Sequence, residues 1–186
     1  MRFGLLLLGE HDPRRLLTLA AMAEENGLRD LWYADEKFYR DPYVSLAYVA
    51  QRTRSIRLGS CVTDPFTRHP ALIAMAAGTL DEISGGRAVL GLGAGFSGLH
   101  AMGIRRARTV HSLRQAIEMI RRLWAGETVT VEEEAFVLRQ TNLNFPVRHD
   151  IPILLASAGP QILRLAGEVA EMVMLGDLGT AEVLTP

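Results

Sequence analysis

Cysteine is nearly absent from this sequence: Cys61 stands alone among 186 residues. A single thiol excludes an internal disulfide framework and fits a reducing cytoplasm. An excess of charge of one sign is lacking as well. The chain has 20 Lys and Arg against 21 Asp and Glu, a formal net charge of −1. No global field therefore draws it to nucleic acid or to an anionic membrane, and neither is expected as a partner. Arginines gather locally at Arg105, Arg106 and Arg108, and again at Arg121 and Arg122. The second pair belongs to the solvated face of an amphipathic helix. Long apolar runs are missing too, and no window approaches the roughly 18 residues of a membrane span. The opening "MRFGLLLLGEHDP" is too short for a secretory signal and has no small-residue cleavage site, so it reads as a buried first strand.

Familiar catalytic devices are also absent. His11, His69, His100, His111 and His149 have neither i,i+4 spacing on a helix nor cysteine partners, so no metal site is expected. No G-x-S-x-G elbow presents a nucleophile. A lone free cysteine is by default a small buried residue. An enzyme built this way would depend on an organic cofactor.

What the chain does have is 48% hydrophobic and 22% charged residues, enough for a substantial core and one domain over 1–186. Short apolar runs alternate with helical-period segments. Strands are expected at Phe3 to Leu8, Asp30 to Ala34, Ile56 to Val62 and Ala88 to Leu92, then in "IPILLA" and "EMVML". Helices are expected at Pro13 to Asn26, Pro42 to Thr53, Pro70 to Ile83, about Thr109 to Ala125, and Pro160 to Val169. The fourth carries Leu113, Ile117, Ile120 and Trp124 on one face. "GETVTVEEEAFVLRQTNLNF" breaks the rhythm and alternates like a hairpin. Strands that are apolar throughout are buried on both faces, so the fold class is α/β with a parallel sheet, either open or closed into a barrel.

Polar clusters recur after the expected strands: Glu10 and His11; Asp35, Glu36 and Lys37; Cys61, Thr63 and Asp64; Gly93, Gly95 and Ser97; Ser157 to Gly159; Gly176 and Asp177. In parallel α/β folds those ends face one side, where ligands bind. Some of these residues serve only as caps, and Asp12 before Pro13 is the plainest. The "GAGFSG" run at Gly93, Gly95 and Gly98 fits the three-glycine dinucleotide pattern. It lacks the helix that should follow at once and the acidic strand end about 20 residues on. It reads instead as a strand exit that lets a ligand approach the backbone.

"GSCVTDPFTRHPALIAMAAGTLDEISGGRAVLGLGAG" resembles the core signature of the bacterial luciferase-like monooxygenase superfamily. It is most similar to the branch of coenzyme F420-dependent reductases such as methylenetetrahydromethanopterin reductase. "LRQAIEMIRRLWAGETVTVEEEAFVL" resembles the next helix and hairpin insertion, and "IPILLASAGPQILRLAGEVAEMVMLG" the fifth and sixth units. The resemblance implies a TIM-barrel-like (β/α)8 fold with F420, or alternatively FMN, at the C-terminal strand ends. It implies hydride transfer to or from a small organic substrate. In many members a non-prolyl cis peptide on the third strand supports the ring, and the matching bond is Cys61–Val62. Asp35 and Glu36 match the catalytic positions. Cys61, Val62, Asp64, Gly93, Ser97, Ala158, Gly159 and Gln161 match cofactor contacts. Arg68 and His69 are expected to be structural.

Two departures stand out. Several deazaflavin-dependent members have histidine where this chain has Glu36, and a carboxylate donates a proton near neutral pH only where its surroundings favour the protonated form. Eight βα units close a barrel, whereas about six are visible, and "GDLGTAEVLTP" breaks off where another helix should start. The expectation is a barrel truncated at its C-terminus, with a homo-oligomer or a second chain covering the open edge. The alternatives are an FMN-dependent monooxygenase and a non-catalytic truncated homologue.

Overall fold

The computed structural model describes residues 3–157 and 159–175. Four helices begin with proline, where the missing N–H costs nothing because the first turn has no intrahelical acceptor. These are α1 (Pro13–Glu25), α2 (Pro42–Ala50), α3 (Pro70–Ser84) and α5 (Pro160–Val169). The residue before the proline caps the first three. Asp12 accepts from the amides of Arg14 and Arg15, and Asp41 from those of Tyr43 and Val44. His69 caps α3, accepting through Nδ1 from the Ala71 amide at 3.1 Å, while its buried Nε2 has no hydrogen-bond partner among the described residues. Helix α4 (Thr109–Trp124) completes the set.

Six strands form one parallel sheet in the order β1 (Gly4–Leu7), β2 (Asp30–Tyr33), β3 (Arg57–Ser60), β4 (Ala88–Leu92), β7 (Ile153–Ala156) and β8 (Met172–Met174). β5 (Val129–Glu132) and β6 (Val137–Thr141) pair antiparallel as the expected hairpin. The sheet curls into a partial TIM barrel, with its helices outside and all strand C-termini on one rim. The register carries Leu7 opposite Tyr33 and Tyr33 opposite Ser60, with Leu92 opposite Leu155 and Ala156 opposite Met174. β1 and β8 are the two edges, and Leu6, Leu8 and Val173 are exposed along them. No helix among the described residues is long and apolar enough to cross a membrane.

The third strand is shorter than expected. It ends at Ser60; the Cys61 amide still donates to the Tyr33 carbonyl at 2.8 Å, and the Cys61–Val62 peptide that follows is cis. Pairing resumes at Thr63, which bridges to Leu92. The core lies between sheet and helices. The predicted face of α4 is fully buried, and Trp124 donates its indole N–H to the Ala74 carbonyl on α3 at 3.0 Å.

The opposite rim, at the N-terminal strand ends, is tied by two charged residues. The Arg87 guanidinium donates to the carbonyls of Ala50, Thr53, Ile56 and Ser84, joining the ends of α2 and α3 to the start of β3. Glu24 on α1 accepts from the amides of Arg54, Ser55 and Ile56 and from the Ser55 hydroxyl. Desolvation pushes the Glu24 carboxyl up, but those donors outweigh it and hold the pKa at about 2. A group whose folded pKa is lowered contributes stability above its unfolded value and loses it as pH falls through the folded one. Urea unfolding of wild type and Glu24→Gln should therefore show a gap that is full above about pH 4.5 and closes toward pH 2.

Candidate active site

Three strand exits meet on the functional rim. After β2 the chain runs through Asp35, Glu36 and Lys37. Side chains two apart in extended chain point to one side, and Asp35 and Lys37 both turn inward. Lys37 Nζ lies 2.9 Å from Asp35 Oδ1 and 3.3 Å from Asp64 Oδ2. Both carboxylates are nearly inaccessible, with side chains 7% and 2% exposed. Thr63 donates its hydroxyl to Asp35 Oδ2 at 2.6 Å. Asp64 also caps its own loop, accepting from the amides of Phe66 and Thr67 and from the Thr67 hydroxyl. Its role is therefore as much architectural as that of a rim side chain.

After β3 comes the cis Cys61–Val62 peptide, packed against the glycines of β4 and its exit. A Cβ at Gly91 would sit 1.9 Å from the Ser60 carbonyl oxygen, and one at Gly93 would sit 2.5 Å from Val62 Cγ2. Only glycine permits that approach. After β4, Ser97 accepts the Lys37 amide at 3.0 Å.

These elements enclose a cleft of about 280 Å³. Its small residues are Ala34, Gly93, Ala94, Gly95 and Ala156. Asp35, Glu36, Asp64 and Ser97 supply polar groups, Cys61 and Val62 the bulge, and Phe96 one wall. Glu36 has no side-chain hydrogen bond or ion pair among the described residues, unlike Asp35 and Asp64. The structure thus brings together Asp35, Glu36, Cys61, Val62, Asp64, Gly93 and Ser97. Gly159 and Gln161 lie exposed at the start of α5, on the same rim but outside the lining of the cleft. Ala158, Gly176 and Asp177 lie outside the described residues. Lys37 and Thr63 are visible in the sequence only as members of polar clusters. The signal for Lys37 is its place two residues after an acid at a strand exit. Arg68 pairs with Asp41 and stacks on the Tyr43 ring, which fits its structural reading.

A sequence model of the luciferase-like monooxygenase family matches residues 1–183. A 5,10-methylenetetrahydromethanopterin reductase of Methanolobus tindarius is 37% identical over 176 residues, covering 94% of this chain and 54% of its own. An F420-dependent glucose-6-phosphate dehydrogenase of Kineococcus radiotolerans is 33% identical over 172 residues, covering 86% and 51%. The solved structure of the coenzyme F420-dependent tetrahydromethanopterin reductase of Methanopyrus kandleri superposes with a TM-score of 0.88 at 29% identity, covering 94% of this chain and 55% of that one. The chain spans about half the length of the curated relatives it matches.

Burial raises the Cys61 thiol to a pKa of about 11, away from the range of reactive cysteines. At pH 8 about one thiol in a thousand is then ionised, by the difference between the two values. Alkylation by iodoacetamide should be correspondingly slow in the folded chain, accelerate steeply toward pH 11, and become fast once the chain is unfolded in urea.

Proposed function

The chain belongs to the luciferase-like monooxygenase family, and within it we propose a part of an oxidoreductase that uses coenzyme F420 for hydride transfer with a small organic substrate. The observation that carries this reading is the cleft floor. The cis Cys61–Val62 peptide is backed by Gly91 and Gly93, and Ala34, Ala94 and Ala156 stand around it. Small residues at strand ends allow a planar ring to lie against backbone. The volume of about 280 Å³ sits at the lower end of ligand pockets, which begin at roughly 300 Å³, and so suits a ring system rather than a whole cofactor with its tail.

When bound, F420 would supply hydride chemistry at its C5. The residues of the chain hold and orient it. Val62 and Gly93 would lie against the ring. Asp35, fixed by Lys37 and Thr63, offers a carboxylate edge with settled geometry. Glu36 would be the cleft acid that meets the ligand, since it has no side-chain partner among the described residues. Gly159 and Gln161 stand at the start of α5, where backbone amides attract anionic groups, and would meet the cofactor tail; the family position of Ala158, which lies outside the described residues, assigns it the same role. Cys61 contributes size and position, not thiolate chemistry.

Residues 1–186 would form one barrel domain whose exposed edges, β1 and β8, are covered by two further βα units or by another chain, including a second copy. The reducing cytoplasm suits its single thiol. FMN is the second reading, favoured by the monooxygenase description of the family, because the same floor would accept a flavin ring.

Titration with F420 and with FMN, followed by absorbance and fluorescence, separates the two. F420 is expected to bind more tightly, and Asp35→Ala to weaken it about tenfold or more, the loss of one good polar contact. Tighter binding of FMN would favour the monooxygenase. Binding of neither by a folded chain, or equal F420 affinity in Asp35→Ala, would contradict the proposed site.

A further inference from the structure

We propose that Lys37 is the positioning residue of the cleft: its single ammonium holds the carboxylates of Asp35 and Asp64 in fixed geometry on the cleft, while Glu36 has no side-chain partner among the described residues. The inference rests on the functional reading above for its ligand, but its geometry stands independently. One cation 13% exposed lies between two carboxylates 7% and 2% exposed. Burying two like charges close together is costly unless a counter-charge and hydrogen bonds compensate them. Here Lys37 provides the charge. Thr63 satisfies Asp35, while the Phe66 and Thr67 amides satisfy Asp64.

The surrounding chain is shaped around this ammonium. Gly98 has φ +70°, and a Cβ there would lie 2.5 Å from Lys37 Cβ. Gly95 has φ +67°, and a Cβ there would lie 2.7 Å from Asp64 Cγ. Ser97, between them, accepts the Lys37 amide. The "GAGFSG" run thus takes its glycines from close packing around Val62, Asp64 and Lys37, which accounts for a three-glycine pattern with no dinucleotide helix behind it. Each of the three strand exits contributes to the one cluster: β2 the lysine and an acid, β3 the second acid, β4 the glycines and serine.

The charge count supplies the test. Two carboxylates and one ammonium sum to −1; Lys37→Met makes the cluster −2, and adding Asp64→Asn returns it to −1. The amide introduced by Asp64→Asn retains a carbonyl oxygen to accept from the Phe66 and Thr67 amides, and the Thr67 hydroxyl can reverse its hydrogen bond. Thermal unfolding and F420 fluorescence titration would be run on wild type, K37M and K37M/D64N. K37M is expected to lower the unfolding midpoint by about 10 °C and to weaken F420 by about tenfold, as for removal of one partner from a buried ion pair. K37M/D64N is expected to recover most of both losses. If K37M does not fold, folding of the double variant gives the same support. An unchanged midpoint in K37M, or a double variant no better than K37M, overturns the proposal, since the lysine would then act through packing alone. The midpoints decide the tie even if no variant binds F420, an outcome that would instead overturn the cofactor reading.

Discussion

One ammonium between two buried carboxylates sets the geometry of the functional rim. Lys37 meets Asp35 from its own strand exit and Asp64 from the next, while its amide is held by Ser97 from the one after. Each partner alone would be expensive to bury, and together they form a satisfied unit. The exits of β2 and β3 cannot shift apart without unpairing a charge, and that of β4 is tied to them by the hydrogen bond from the Lys37 amide to Ser97. The cis peptide and the glycines beside it are held in register by the same chain segments.

The two ends of the sheet carry different work, as is usual in barrels of this kind. At the N-terminal strand ends, Arg87 and Glu24 satisfy backbone groups and join helices to strands, with nothing left over for a ligand. At the C-terminal ends the charges are paired with one another, the side chains shrink to alanine and glycine, and a cleft opens. Glu36 is the exception, an acid on that cleft with no side-chain partner among the described residues. The sheet edges stand apart from both ends: among the described residues β1 and β8 each have one neighbour, and Leu6 and Val173 on them are exposed.

Much of this is legible from the chain itself. Apolar runs separated by helices that start with proline, as α1, α2, α3 and α5 do, or run into glycine, as α1, α3 and α4 do, define the βα order, because both signals have local causes. The hairpin is readable from its period. The resemblance carries the cis bond at Cys61–Val62, which composition and periodicity could not have shown. Lys37 is not legible as the centre of the rim, since whether a lysine after a strand turns inward depends on carboxylates distant in sequence. The glycines of "GAGFSG" are readable as a close-approach exit. What they approach, Val62, Asp64 and Lys37, appears only once β2, β3 and β4 stand side by side. The third strand is three residues shorter than its sequence suggests, losing Ile56 at its start and Cys61 and Val62 at its end, although the last two are good strand formers.

On the reading above, a planar cofactor lies on the floor formed by Cys61, Val62 and Gly93. An amide-resolved NMR titration of the isotopically labelled chain with F420 tests it directly. Saturable shifts are expected at Asp35 to Lys37, Cys61 to Asp64 and Gly93 to Ser97, with the Arg87 end of the sheet unmoved. Saturable shifts centred elsewhere, or none, would contradict that placement.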